Sequence, residues 1–65
     1  MSDRESEARD EVRSLARREG KTWENLPRDV QDSLLSTAEA NADDGDDPYD
    51  AARDAWRKMQ REGRL

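Results

Sequence analysis

Two groups of residues have the types and spacing to do chemistry: the acidic run Asp43-Asp44-Gly45-Asp46-Asp47, and two series of arginines repeating at about every fourth position. An acidic run interrupted by glycine suggests calcium, which takes carboxylate and carbonyl oxygens around a sharp turn. In the helix–loop–helix calcium loop the glycine is sixth and a bidentate glutamate is twelfth. Setting Gly45 sixth puts Ala40 first and Ala51 twelfth, and neither can ligate through its side chain. The run therefore reads as a solvated turn that caps the helix after it, and no metal is expected. Catalysis is no better served. Carboxylates abound, but there is no His, no Cys and no apolar stretch able to shift a carboxylate's pKa. Gly20, Gly45 and Gly63 are isolated, so there is no glycine-rich phosphate loop. Neither catalytic residues nor a cofactor are expected, and an enzyme is not the expectation.

The arginines carry a stronger signal. Arg53, Arg57, Arg61 and Arg64 would form one basic ridge, and Arg9, Arg13 and Arg17 a second. Such ridges contact phosphates and give nucleic acids a salt-sensitive affinity. Against this stand a formal net charge of −5 and a long acidic connection where a helix-turn-helix would have a short turn. The ridges read first as solvated helix faces laced with ion pairs, with nucleic-acid binding as the alternative. The charge is also unevenly spread, at −7 over residues 28–50 and +3 over residues 51–65. A molecule polarised in this way can pair head-to-tail with itself or present either face to a protein partner. Asp and Arg are equally frequent and Lys is scarce. With a thin core, that composition suits a halophile, whose salt strengthens apolar burial and screens repulsion. A GC-rich genome accounts for Arg over Lys equally well.

The elements that would position these residues are helical. Asp47 can cap a last helix with Pro48 at its first position, and Gly63 can end it. Tyr49, Ala52, Trp56 and Met59 place one aromatic-rich stripe along that helix. A first helix runs from a Ser2–Glu5 capping box to Gly20, with Ala8, Val12, Leu15 and Ala16 as its stripe. Its pattern of Ala8-Arg9-Asp10, Val12-Arg13, Leu15 and Arg17 returns at a constant offset as Ala52-Arg53-Asp54, Trp56-Arg57, Met59 and Arg61. Both stretches close on Arg-Glu-Gly. A middle helix opens at Pro27, turns Val30, Leu34 and Ala38 inward with Leu35 at the seam edge, and fades near Asn41 or Ala42. The short link Lys21–Leu26 holds Trp23, read first as a lid over the domain, with an exposed anchor for a partner as the alternative.

The expectation is thus an all-α three-helix bundle with helices at about 3–19, 27–41 and 48–62, the first and third flanking the middle one. It forms one domain over 1–65, in which the N-terminal helix (1–20) is the candidate for looser packing. Trp23, Leu26, Val30, Leu34, Tyr49, Ala52, Trp56 and Met59 are the expected core or interface. A 65-residue chain without cysteine has little to spare between apolar burial and chain entropy, so help from a second copy, a partner or salt is expected. No apolar run reaches membrane-spanning length and the N-terminus has no signal-peptide core. No membrane insertion is expected, and the location expected is the cytoplasm.

Leu26-Pro27, then Val30, Leu34 and Ala38, an acidic glycine-containing turn, and then Ala52 and Ala55-Trp56 resemble the ChaB family over residues 26–59. These are small, mostly helical proteins regarded as regulators of a cation/proton antiporter. Where that family has a second Leu-Pro, this chain reads Leu34-Leu35-Ser36. The resemblance implies a non-enzymatic accessory role. The expected function is therefore regulation through protein contacts, with a protein partner or a homodimer.

Overall fold

The computed structural model describes residues 3–65. Three helices account for most of them: α1 (Asp3–Arg18), α2 (Arg28–Asp43) and α3 (Pro48–Arg61), with a 3-10 turn at Trp23–Asn25 between the first two. The protein is a small all-α three-helix bundle. Ser2, the cap of the expected Ser2–Glu5 capping box, lies outside the described residues.

All three helices stop in the same way. Gly20, Gly45 and Gly63 have positive φ. At each, the glycine N–H donates to the carbonyl three residues back, and the next N–H donates to the carbonyl five residues back: Lys21 to Ala16 (2.9 Å), Asp46 to Asn41 (3.1 Å) and Arg64 to Met59 (2.9 Å). This paired closure satisfies carbonyls that a helix end leaves open. It also carries α2 to Asp43, beyond the expected fading near Asn41 or Ala42. Ala42 is buried in that last turn, and the Asn41 amide donates to the Ala51 carbonyl of α3 at 3.3 Å. The start of α3 is as expected: Asp47 Oδ2 accepts the Tyr49 N–H at 3.1 Å, and Pro48 occupies the first turn.

Ion pairs fix the directions. Arg9 of α1 meets Glu39 near the end of α2, and Arg64 after α3 meets Asp29 at the start of α2. Helix α2 is therefore antiparallel to both others, and α1 runs parallel to α3. The expected arrangement had α1 and α3 as flanks of α2. Both do pack on α2, and they also pack on each other, so that α1 is as fully engaged as the rest. A helix facing two neighbours needs a broad inner face rather than a narrow seam. That is why Ala51 and Ala55 are buried on α3 beside Ala52, Trp56 and Met59, although only the latter three lie on the expected stripe. Alanine dominates the core, with Ala8, Ala16, Ala38 and Ala42 contributed by the other two helices. Small side chains let the rods approach, and Val12, Leu34, Met59 and Trp56 fill the space between them.

Of the expected core residues, Val30, Leu34, Ala52, Trp56 and Met59 are buried. Trp23 and Leu26 are half-buried and pack on the outside of that core. Tyr49 is not part of the core: at 38% exposure it is the one large apolar side chain at the surface among the described residues, which leaves it to the interface half of the expectation. It stands in the first turn of α3, with the guanidinium groups of Arg18 and Arg53 beside its ring. The hydroxyl also favours water.

Candidate functional site

The aromatic rings that the core does not absorb are held by arginines. The end of α1 builds the first such place. Gly20 reverses the chain, so that Lys21, Thr22 and Trp23 pass beside the last turns of α1 and line a groove of about 460 Å³ with Arg13, Arg17 and Glu24. Gln31 of α2 pins this link by donating its side-chain amide to the carbonyls of Trp23 (2.9 Å) and Leu26 (3.0 Å). The Arg13 guanidinium lies 6.0 Å from the Trp23 ring centroid, at the outer limit of a cation–π contact. Arg13 also has an exposed partner in Asp10 at 3.7 Å. Among the described residues, Arg17 and Lys21 form no ion pair. The groove is therefore cationic, with an indole in its wall.

The second place is where α1 and α3 run side by side. Tyr49 sits between Arg18 of α1, 5.3 Å from its ring centroid, and Arg53 one turn further along α3, at 5.8 Å. Below it, Leu15, Glu19, Arg53, Trp56, Arg57 and Gln60 line a shallow groove of about 260 Å³. The Trp56 indole is 3% exposed, and its Nε1 has no hydrogen-bond partner among the described residues. Leaving such a donor unsatisfied costs about 1–3 kcal/mol.

The two expected arginine ridges do not join. Arg9 turns to Glu39 of α2 at 3.6 Å, while Arg13 and Arg17 line the Trp23 groove. On α3, Arg53 and Arg57 line the groove with Leu15 and Glu19 of α1, and Arg57 with Arg61 also borders a groove with Thr37, Asn41, Asp54 and Lys58. Arg64 is corrected as a ridge residue. The left-handed Gly63 folds it back across α2, where it donates to Asp29 Oδ2 at 3.1 Å and to Ser33 Oγ at 3.4 Å. It clasps the chain end to the start of α2.

The opposite end of the bundle is acidic. Glu5 of α1 lies beside Asp43 at the end of α2, and Glu7, Asp10 and Glu11 of α1 line a recess with Asp47 and Tyr49 at the start of α3. Glu5 shares a side-chain hydrogen bond with Asp43. That bond, then the Asp43 charge, then desolvation and the Glu39 charge raise its pKa above the ordinary value, with Arg9 opposing. Among the described residues, no three His, Cys, Asp or Glu side chains are grouped to hold a metal ion. No helix is long and apolar enough to cross a membrane.

Trp23 and the ridge arginines were visible in the sequence as candidates, but their separation into distinct grooves was not. Gln31, Lys21 and Arg18 carried no signal, because each acts through a chain reversal or a contact between helices that periodicity does not encode. Comparison with family models, with curated proteins and with solved structures finds no match for this chain.

Proposed function

We propose that this chain is a small non-enzymatic regulatory or accessory protein that acts through protein contacts. The observation that carries the reading is the pairing of the partly exposed aromatic rings with arginines: Trp23 with Arg13, and Tyr49 with Arg18 and Arg53. Arginine and large aromatics are the residue types that dominate binding energy at protein interfaces. The likeness of residues 26–59 to ChaB-type regulators supports the same class of role.

Nucleic-acid binding is the second reading, and the Trp23 groove favours it specifically. An indole beside Arg13, Arg17 and Lys21 has the elements of a stacking platform with phosphate contacts. A gel-shift and fluorescence titration with single-stranded and duplex oligonucleotides over a salt series separates the two. The protein-contact reading expects no retardation and no quenching of Trp23. Binding whose affinity falls steeply with salt would put the nucleic-acid reading first.

A further inference from the structure

We propose, on the reading that the chain acts through protein contacts, that one partner is a second copy of itself: the acidic α2–α3 turn, Asp43–Asp47, of one molecule seats in the Trp23 groove of the next.

Charge complementarity carries the argument. The turn and the groove lie at opposite ends of the bundle, because α2 ends where α1 begins and the groove forms where α1 ends. Among the described residues, Asp43, Asp44, Asp46 and Asp47 form no ion pair, and neither do Arg17 and Lys21. Each end therefore holds the charge the other lacks, and within one molecule they cannot meet. Glu24 is the one acid lining the groove, against Arg13, Arg17 and Lys21. Shape agrees with charge. Asp43, Asp44 and Gly45 of the turn are exposed, a Cβ placed at Gly45 would meet nothing within 4 Å, and the groove, at about 460 Å³, has room for a few residues of a loop.

Two consequences follow. The contact is heterologous, so it extends into a row of molecules rather than closing as a symmetric dimer. It is also weak. The bundle measures 28 × 19 × 18 Å, and an end of that size covers far less than the roughly 800 Å² per partner typical of stable complexes. Attraction between exposed charges then dominates, and salt dissolves it.

The test is sedimentation of the full chain at rising protein concentration. Salt is set at about 10 mM, about 0.1 M and about 1 M, where the screening length is about 30, 10 and 3 Å. Circular dichroism at each salt shows which samples are folded. For the wild type, the mean mass is expected to rise with concentration at the lowest salt that keeps it folded, and to return to that of a monomer at about 1 M. Arg17→Glu with Lys21→Glu should leave a monomer, as should Asp44→Lys with Asp46→Lys. An equimolar mixture of the two variants should associate again, because each reversed surface now complements the other molecule. A folded wild type that stays monomeric up to millimolar concentration at the lower salts overturns the proposal, as does a mixture no heavier than its components. Either result leaves the protein-contact reading open to another partner. That reading falls on the separate nucleic-acid titration.

Discussion

Helices α1 and α3 repeat one pattern and use it differently. Ala8 and Ala52, Val12 and Trp56, and Leu15 and Met59 occupy matching positions, and all six are buried. The repeat thus predicts which face turns inward on both rods. It does not predict what the arginines beside that face will do. On α1 they answer to α2 and to the Trp23 link, through Glu39 and the indole. On α3, Arg53 answers to Tyr49, while Arg57 and Arg61 are left without an ion pair among the described residues. A shared apolar stripe defines a rod; the neighbours of that rod define its surface.

The sharpest way to break the equivalence is to truncate the matched pair Val12 and Trp56. Both are buried, but Trp56 fills the space between alanine-lined rods and Val12 removes only two methyl groups when cut to alanine. Trp56→Ala should cost about 3–5 kcal/mol. Val12→Ala should cost about 2 kcal/mol, on the scale of about 0.8 kcal/mol per buried carbon. A domain of this size has a total stability of roughly 3–10 kcal/mol. Trp56→Ala should therefore leave much of the chain unfolded, while Val12→Ala shifts a urea midpoint followed by circular dichroism. Equal losses at the two positions would mean that Trp56 does not organise the core.

The helix stops allow a finer comparison. Gly20 and Gly63, at φ 78° and 74°, end the two repeated helices, and Gly45, at φ 106°, ends α2. An added Cβ meets nothing within 4 Å at any of them, so an alanine there pays only in backbone strain. Side-chain-bearing residues tolerate φ of about +50° to +70°. Gly45→Ala should thus cost the most, about 1–2 kcal/mol, with Gly20→Ala and Gly63→Ala below it. Thermal melts of the three variants check the order. If Gly45→Ala were the mildest, the α2 stop would not be holding the acidic turn in place.

Much of this fold was legible because local signals agreed: stripes at helical spacing, Asp47-Pro48 at one start, and glycines after two of the ends. What stayed hidden depended on the third dimension. Ala51 and Ala55 look like filler until α3 is seen to face two rods rather than one. Tyr49 lies on the apolar stripe by spacing, yet it is exposed and two arginines frame its ring. Arg64 extends a ridge on paper, and a left-handed glycine sends it the other way. At the candidate site the residue types were readable, but the groove was not, since it exists only once Gly20 has reversed the chain and Gln31 has fastened the link.

The smallest effect concerns another equivalent pair of positions, Glu5 on α1 and Tyr49 on α3, both in the opening turns of their helices. Tyr49 is framed by cations, whereas Glu5 faces Asp43 and its pKa is raised above the ordinary 4.5. A carboxyl with a raised pKa in the folded state binds its proton more tightly there than in the unfolded chain. Its contribution to stability is fully present below the ordinary value and is lost as the pH climbs through the raised one. At neutral pH, ionised Glu5 beside Asp43 therefore works against the fold. Glu5→Gln removes that charge and keeps a donor for Asp43. The variant should be at least as stable as the wild type near neutrality, and the gap should close as the pH falls toward the ordinary carboxylate range. Urea titrations of both proteins across that interval measure it. A gap that widens on acidification would mean that Glu5 is held by Arg9 instead of being repelled by Asp43.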